Sequence, residues 1–381
     1  MRRLIGLVLG VVLALAPAMA VEETPLERSR RLVREAFAAH ESGDAATALT
    51  RMSEALALRP GHPGLLLNVA SLQAETGDGA AAAETLAAYA RTGLTADLTQ
   101  DPAFAPLHGT AAFESAAALL ARNAEPIGKP ERVAVLGAGD ALFEAVVRDA
   151  GTGRLFAGSV RERRIVVVDP DGKTRDFVPK GRDGLMSVFG LAIDPTHGLL
   201  WTASTGTPLA KDLPTDVKGK AGLFAFDLET GALVRKALFA GEGERWIGDL
   251  VLAPDGTVYA SDSLNPVLYR LAPGETELTE FIRDAIFASP QGLALSSDGS
   301  RLLVADYAMG IVAVDIAARK ATLLAPPPDT ALLAIDELTS DGETVIAVQQ
   351  LTPSRVLKVA LSPGWDRIER VEVLAANSPL H

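Results

Sequence analysis

Residues 250–259 read Leu-Val-Leu-Ala-Pro-Asp-Gly-Thr-Val-Tyr, and this stretch decides the fold of most of the chain. Two short apolar runs flank an Asp-Gly pair, which is a strong local signal for a tight turn between two antiparallel strands. A comparable unit, two apolar runs joined by a turn that contains glycine, recurs four more times along the sequence, with intervals of 45, 58, 43 and 43 residues between the turn glycines. These turn glycines are Gly153, Gly198, Gly256, Gly299 and Gly342.

A repeat of about 40–50 residues with four short strands is typical of a β-propeller blade. Five such units are visible, the last ending at Arg370–Leu374, and one further strand is predicted before the first unit at Arg132–Leu136. The extra strand leaves two interpretations of the propeller over 132–381: five blades that close imperfectly, or five full blades of a six-bladed type whose last blade is incomplete. The longest unit contains an insertion at Gly206–Gly219, which is either surface elaboration or a lid over a site.

A helical pattern precedes the propeller. Glu41–Ala48 and Glu75–Ala82 match at an offset of 34 residues, which is the period of tetratricopeptide repeats. Gly43 and Gly77 fall in the turn between the two helices of each repeat, where a positive φ is wanted. The small residues expected at close helix contacts are Ala36, Ala48, Ala70 and Ala82.

The predicted fold class is thus α plus all-β in two domains. Tetratricopeptide-like hairpins with a capping helix occupy 24–123, a linker containing Pro and Gly occupies 124–131, and the propeller follows. A stack this short is interpreted either as a peptide-binding groove or as a helical support packed on the propeller. The scarcity of aromatic side chains and of Asn/Lys clamps favours the support.

The first 20 residues have a basic start, an apolar stretch and a small-x-small ending at Ala18–Ala20, as in a secretory signal peptide. We expect cleavage after Ala20, export to the periplasm or medium, and no membrane span in the rest of the chain. The 381 residues include 36 Lys and Arg against 48 Asp and Glu, a net charge of −12, which argues against nucleic acid as a partner. The chain has no cysteine, which excludes thiolate metal sites and a Cys nucleophile.

The innermost strands of a propeller line its central channel, so matching positions in the blades converge there. The matching positions are interpreted as Glu144, Phe189 or Gly190, Asp249, Gln291 and Asp336. Carboxylate and amide oxygens are the donors that Ca²⁺ and Mg²⁺ prefer. The alternative for each carboxylate is a structural role in which it accepts hydrogen bonds from backbone amides.

Four segments, Leu142–Glu144, Ser289–Ser296, Leu303–Asp306 and Ala334–Leu338, resemble the gluconolactonase/regucalcin family of six-bladed propellers. The resemblance implies that Glu144, Gln291 and Asp336 ligate one divalent cation. Ca²⁺ is favoured over Mg²⁺, Zn²⁺ or Mn²⁺, since Gln291 replaces the family's Asn and calcium tolerates the longer side chain better.

The same resemblance implies a lactonase-type hydrolase acting on a small lactone or related ester. A divalent cation would polarise the carbonyl, and Asp336 or Asp249 would accept the proton of the attacking water. Asp249 also falls near the segment that lines the family's substrate pocket.

A non-catalytic periplasmic binding or scaffold protein is the alternative. In that case the repeats and the propeller recognise a peptide or sugar partner without chemistry. The expected partners are therefore a small lactone or sugar-like ligand in the channel and a protein at the helical repeats.

Overall fold

The computed structural model of the protein describes residues 23–136, 140–240, 243–340 and 344–378. The predicted signal peptide and the last turn glycine, Gly342, lie outside these ranges. None of the helices in the described ranges combines the length and apolarity needed to cross a membrane.

From residue 23 onward, where the description of the structure begins, five α-helices precede the sheets. They are α1 (Pro25–Glu41), α2 (Ala45–Leu58), α3 (Pro63–Glu75), α4 (Gly79–Arg91) and α5 (Ala111–Asn123), with two 3-10 turns at Leu98–Gln100 and Pro102–Leu107.

The two hairpins, α1–α2 and α3–α4, have the same helix caps and turn glycines at the offset of 34 residues. Asp44 and Asp78 cap α2 and α4, and each Oδ1 accepts a backbone N–H three residues later at 3.0 Å. The glycines before these caps have φ of +85° and +89°, a conformation that only glycine adopts without strain. The four alanines expected at close helix contacts are at most 1% exposed. The predicted repeat is therefore present in the fold.

In the described part of the chain, twenty strands form five antiparallel sheets, the blades, and each blade has four strands in chain order. Blades 1 and 2 consist of β1 (Phe143–Arg148), β2 (Leu155–Ser159), β3 (Arg164–Val168), β4 (Thr174–Val178), β5 (Ser187–Asp194), β6 (Leu199–Thr205), β7 (Ala221–Asp227) and β8 (Leu233–Leu238). Blades 3 to 5 consist of β9 (Ile247–Leu252), β10 (Val258–Asp262), β11 (Val267–Leu271), β12 (Thr279–Arg283), β13 (Pro290–Leu295), β14 (Arg301–Asp306), β15 (Gly310–Asp315), β16 (Lys320–Leu323), β17 (Ile335–Ser340), β18 (Thr344–Gln349), β19 (Arg355–Leu361) and β20 (Ile368–Ala376).

Successive blades bury an apolar layer between them. Phe156 and Ile165 of blade 1 pack with Leu200 and Phe224 of blade 2, and similar clusters join blades 2 to 5. Among the described residues, the inner strands β1 and β17 lack the close packing that joins the inner strands of consecutive blades. Val146 of β1 is accordingly 68% exposed. The five predicted blades are confirmed, and the junction between blades 5 and 1 is wider than the other four.

The strand predicted at Arg132–Leu136 does not form, and that prediction is wrong. Blade 5 already has its outermost strand, β20. Within the described ranges, the segment before the propeller pairs with β20 through the bridge between Ile127 and Ala376, with backbone hydrogen bonds of 2.9 and 3.1 Å. Gly128 follows with φ of +80° and ends this pairing. Val133 and Val135 are left 73% and 65% exposed.

The helices pack on the end of the propeller at which the inner strands begin, called here the site face. Because neighbouring strands are antiparallel, this face also carries the turns between second and third strands and the loops between blades. Thr95 N–H donates to Thr352 O in the β18–β19 turn at 2.9 Å. Arg91 Nε donates to Asp329 Oδ1 in the loop before β17 at 3.1 Å.

Arg355, which is 4% exposed, lies at the centre of this helix–propeller interface. Its Nη1 donates to Thr92 O at 2.8 Å and its Nε donates to Gln349 Oε1 at 2.8 Å. Ala331 of the propeller also joins the apolar cluster of α3, α4 and α5. The helices thus act as the support that the sequence favoured, while a peptide partner for them stays a prediction.

Candidate functional site in the propeller channel

Each inner strand carries a β-bulge near its start, and the bulges determine which side chains face the channel. In β1, Phe143 pairs with Ser159 and Ala145 with Gly158, so Glu144 is the extra residue. The register places Phe189 in β5 and Asp336 in β17 at the same point. Because a bulge re-aims one side chain out of the normal alternation, such features are frequent beside functional sites.

Blade 3 departs from the prediction. In blade 3, Gly248 and Asp249 of β9 together oppose Ser261 of β10. In blade 4, Gln291 and Gly292 of β13 together oppose Ala305 of β14. Leu250 and Leu293 are the buried leucines that follow the two bulges. When these leucines are aligned, Gly248, and not Asp249, is equivalent to Gln291. Asp249 therefore lies one residue away from its predicted position in the register, because simple strand alternation takes no account of the bulge.

A cavity of about 520 Å³ opens at the start of the inner strands. It brings together Glu144, Gln291 and Asp336, which are the three predicted metal ligands, and it extends between blades 5 and 1 past Val348 and Val146. Its aromatic lining consists of Phe143, Phe189 and Trp246, and the last two rings lie 5.2 Å apart. Three side chains distant in sequence thus share one chamber, although their role as ligands is still a prediction.

Gln291 is held in one orientation. Its Oε1 accepts from Ser263 Oγ at 2.9 Å, and its Nε2 donates to Ser289 Oγ at 3.0 Å. A Cβ at Gly248 would lie 3.2 Å from Oε1, so the glycine leaves space beside this oxygen. Since a carbonyl oxygen accepts two bonds, Gln291 Oε1 keeps one lone pair for a ligand in the cavity.

Asp249 lies beneath the cavity and not on its wall. It is 5% exposed, and its Oδ2 accepts the backbone N–H of Leu293 in the next blade at 2.8 Å. Its own N–H donates to Ser261 Oγ at 3.1 Å. This is the backbone-binding role that the sequence analysis kept as the alternative for a channel carboxylate.

Glu337 is a functional candidate that sequence reasoning missed. It lines the cavity beside Asp336, and its side chain forms a hydrogen bond with Asp249. A bond between two carboxyl groups requires that one of them carries a proton. The sequence signal that points to Glu337 is the acidic pair at 336–337, immediately before Leu338. Simple strand alternation would place the two acidic side chains on opposite faces of the strand.

Glycine is required around this carboxyl pair because the inner strands approach closely. A Cβ at Gly190 would lie 2.6 Å from Asp249 Oδ1, and a Cβ at Gly292 would lie 2.7 Å from the Cα of Glu337. These distances are shorter than real contacts, so the two glycines allow the carboxyl pair to fill the channel below the cavity.

The channel carboxyl groups are hard to ionise. Burial raises the pKa of Glu144 to about 7, with a contribution from the charge of Asp336, although its side chain remains accessible from the cavity. Burial also raises the pKa of Asp336. For Asp249 and Glu337, burial and mutual repulsion raise the pKa of the pair. Within the described ranges none of these four groups forms an ion pair with Lys, Arg or His.

The donor set suits a hard divalent cation that keeps part of its hydration. In the described part of the chain, no three His, Asp or Glu side chains converge closely enough to hold a metal ion by themselves. Two carboxylates and one amide oxygen do share the cavity, and its remaining space is open to water or ligand oxygens. Glu144, Asp336 and Gln291 therefore fit as partial ligands for Ca²⁺.

Comparison with known proteins supports the repeats directly. Residues 39–97 match the family model described as Tetratricopeptide repeat, which confirms the predicted repeats. No curated protein matches this sequence.

Similar solved structures include gluconolactonase propellers. A putative gluconolactonase is 21% identical, with a TM-score of 0.45 over 64% of this chain and 80% of that one. A gluconolactonase from Xanthomonas campestris is 16% identical, with a TM-score of 0.45 over 61% and 76%. A catalytically inactive virginiamycin B lyase from Staphylococcus aureus is 12% identical, with a TM-score of 0.45 over 62% and 71%.

Proposed function

We propose that the channel binds a divalent cation and hydrolyses a small lactone or ester. The observation that carries this proposal is the set of desolvated carboxyl groups around one cavity, with no basic side chain of the described chain paired to them. Such groups repel one another when ionised, and a bound cation offsets that repulsion. Perturbed carboxyl groups in a cavity are also typical of functional sites.

Glu144, Asp336 and Gln291 would hold the cation, with Gln291 fixed by Ser263 and Ser289. A divalent cation in this place supplies Lewis acidity toward a carbonyl oxygen. The aromatic rings of Phe189 and Trp246 shield one side of the cavity and position the substrate against the carboxylates. The chain therefore supplies binding, orientation and partial exclusion of water.

Proton transfer is assigned to the carboxyl groups that reach the cavity. Asp336 accepts the proton of the attacking water as the new C–O bond forms, and the proton passes to the alkoxide when the ester C–O bond breaks. Glu337 lines the same cavity and is bonded to Asp249, so this pair can hold the proton between the two steps. Asp249 then contributes through Glu337, which revises its predicted role as a direct base.

Calcium titration of protein dialysed against EDTA tests the cation site, followed by the same titration with Mg²⁺, Mn²⁺ and Zn²⁺. Isothermal titration calorimetry should show one Ca²⁺ site that weakens at least about tenfold in Glu144→Gln and Asp336→Asn, since each change removes a charged ligand. Glu372→Gln, on the exposed edge strand β20, is the matched control and should bind as the wild type does. Absence of cation binding in the wild type would contradict the proposal.

Turnover is measured on a panel of sugar lactones and simple esters with and without the cation. Cation-dependent hydrolysis that is lost in Glu144→Gln supports the enzyme. Cation binding without turnover would instead favour the alternative, a periplasmic binding or scaffold protein. Export itself is proposed from residues 1–20 and is tested by comparing the N-terminal residue of the mature and the newly made protein.

A further inference from the structure

A second and larger cavity, of about 680 Å³, borders the carboxylate cavity on the site face. It lies between the insertion Gly206–Gly219 and the loop that precedes β9. Trp246 and Leu264 line both cavities, so these two side chains form the partition between them. A molecule with its carbonyl near Asp336 can therefore extend past this partition into the second cavity, called here the side chamber.

The insertion that forms one wall of the side chamber is held in place by backbone hydrogen bonds. Its ends are closed by backbone hydrogen bonds from Gly206 N to Lys220 O at 2.8 Å and from Gly219 N to Gly206 O at 2.9 Å. Its middle is tied to blade 1, where Lys211 N donates to Arg161 O at 2.8 Å. Since each end and the middle are bonded, the side chamber exists before any ligand arrives.

The opposite wall is held as firmly. Trp246 N–H donates to Asp262 Oδ1 at 3.2 Å, and Asn265 Nδ2 donates to Glu244 O at 3.1 Å. The Trp246 ring also packs against Phe189. The partition between the two cavities is thus fixed by polar and by aromatic contacts.

The lining of the side chamber is mostly carbon. Pro208, Ala210, Leu213 and Leu264 contribute apolar surface, and Leu264 is 53% exposed. The hydroxyl groups in the wall are engaged elsewhere. Thr205 Oγ1 accepts from Ile247 N at 3.0 Å, and Thr207 Oγ1 lies 3.2 Å from Ser187 Oγ.

The charged groups at the chamber are Lys218, Arg245 and Glu244, and they carry both signs. The guanidinium of Arg245 lies over the Phe239 ring, 4.8 Å from its centroid. An alkyl chain in the chamber would cover the exposed Leu264.

We infer that the side chamber receives the alkyl or acyl arm of the same lactone or ester whose carbonyl lies at the carboxylate cavity. The preferred substrates are accordingly amphiphilic, with a polar reacting end and an apolar tail. A chamber of this size is within the range that holds small-molecule ligands. This inference rests on the proposed function for the reacting end and on the chamber alone for the tail.

Two homologous series test it on the full-length protein. Binding of neutral 2-alkanones from butanone to dodecanone is measured by calorimetry in EDTA, and hydrolysis of methyl esters from acetate to decanoate is measured with Ca²⁺. Affinity and kcat/KM should rise with each added methylene, by up to about fourfold per group, until the chamber is filled. The dependence should weaken in Leu213→Ala and in Ala210→Phe, whose ring takes up part of the chamber.

Val234→Ala is the matched control, because Val234 is a 58% exposed apolar residue on β8, away from both cavities. It should keep the full chain-length dependence. A wild type that binds all 2-alkanones equally, or an Ala210→Phe variant that keeps the full dependence, would overturn the inference. Chain-length-dependent ketone binding in a protein that neither binds Ca²⁺ nor hydrolyses esters would support the chamber and reject the proposed hydrolysis.

Discussion

Arg355 at the helix–propeller interface and the carboxyl groups of the channel differ in the partners that surround them. Arg355 donates to Thr92 O and Gln349 Oε1, and the amide of Gln349 in turn donates to Leu333 O at 2.7 Å. In the channel, Glu144, Asp336 and Glu337 have raised pKa values and no ion pair within the described residues.

This difference in bonding partners indicates that Arg355 has a structural role and that the channel carboxyl groups have a functional one. A buried charge that only supports the fold is surrounded by bonding partners, because an unpaired one costs several kcal/mol. A cluster that keeps its charges unbalanced has an energetic reason to take up a cation from outside. The following changes test whether the two regions differ in this way.

Arg355→Ala should have the largest effect on stability. The change leaves Gln349 Oε1 and Thr92 O without the donors that Arg355 supplies, and we expect a loss of about 3 kcal/mol in the free energy of unfolding. Denaturant unfolding followed by circular dichroism measures it. Arg370→Ala on the exposed face of β20 is the control and should change stability by less than about 0.5 kcal/mol. Equal losses in both variants would show that Arg355 is not a structural anchor.

Gly292→Ala should have the next largest effect. Its Cβ would lie 2.5 Å from Leu338 N and 2.7 Å from Glu337 Cα, so backbone must move, and we expect a loss of about 2 kcal/mol. Gly364→Ala, whose Cβ would be 3.9 Å from its nearest neighbours in Asp366, is the control and should be nearly neutral. If Gly292→Ala is as stable as the wild type, the inner strands at this point are not packed as closely as these distances indicate.

Glu337→Gln should be stabilising at pH 8 and close to neutral at pH 5. Burial and the charge of Asp249 raise the pKa of Glu337, so its ionisation destabilises the folded state as the pH rises. The neutral amide removes that cost and keeps a hydrogen-bond donor for Asp249. The melting temperature at the two pH values measures the effect. A melting temperature lowered by the same amount at pH 5 and at pH 8 would contradict an energetic cost of ionising Glu337 beside Asp249.

The pH dependence of the wild type in EDTA should have the same sign. Glu144 has a pKa of about 7, against its ordinary value of 4.5, so the folded state binds more protons than the unfolded state between these values. The melting temperature should therefore fall as the pH rises from 5 to 8, and Ca²⁺ should restore part of it at pH 8. Glu144→Gln should flatten both responses. A Ca²⁺ shift that is as large at pH 5 as at pH 8 would argue against binding by these carboxylates.

Glu280→Ala should have the smallest effect. Its ion pair with Arg283 measures 2.8 Å, but both side chains are close to half exposed. Exposed pairs of this kind contribute between 0 and about 1 kcal/mol, and we expect less than about 0.5 kcal/mol here. The same denaturant assay serves, and a loss near that of Arg355→Ala would remove the distinction between buried and exposed charge.

Much of the fold could be predicted from local pattern. The Asp-Gly and related turns separate the strands, and the offset of 34 residues carries Asp44 and Asp78 to equivalent helix caps. The convergence of Glu144, Gln291 and Asp336 also followed from blade period, because equivalent positions of a repeat meet at its axis. In each case the signal is a spacing that one chain repeats.

Other features have no local signal. The bulges shift Asp249 by one residue and turn Glu337 toward the cavity, and strand alternation alone predicts neither outcome. The unused strand at Arg132–Leu136 depends on β20, which lies more than 230 residues away in sequence and already completes blade 5. The insertion Gly206–Gly219 could be recognised by its length, but its role as a chamber wall depends on its bonds to blade 1 and on Trp246 from blade 3.

The two kinds of repeat, the five blades and the three channel side chains follow from periodic patterns in the sequence, since such patterns specify elements and their phase. Contacts in the folded protein set which carboxyl groups pair, where the helices pack and how the two cavities join. Those outcomes depend on desolvation and on contacts between residues far apart along the chain, and neither is encoded in the spacing of neighbouring residues.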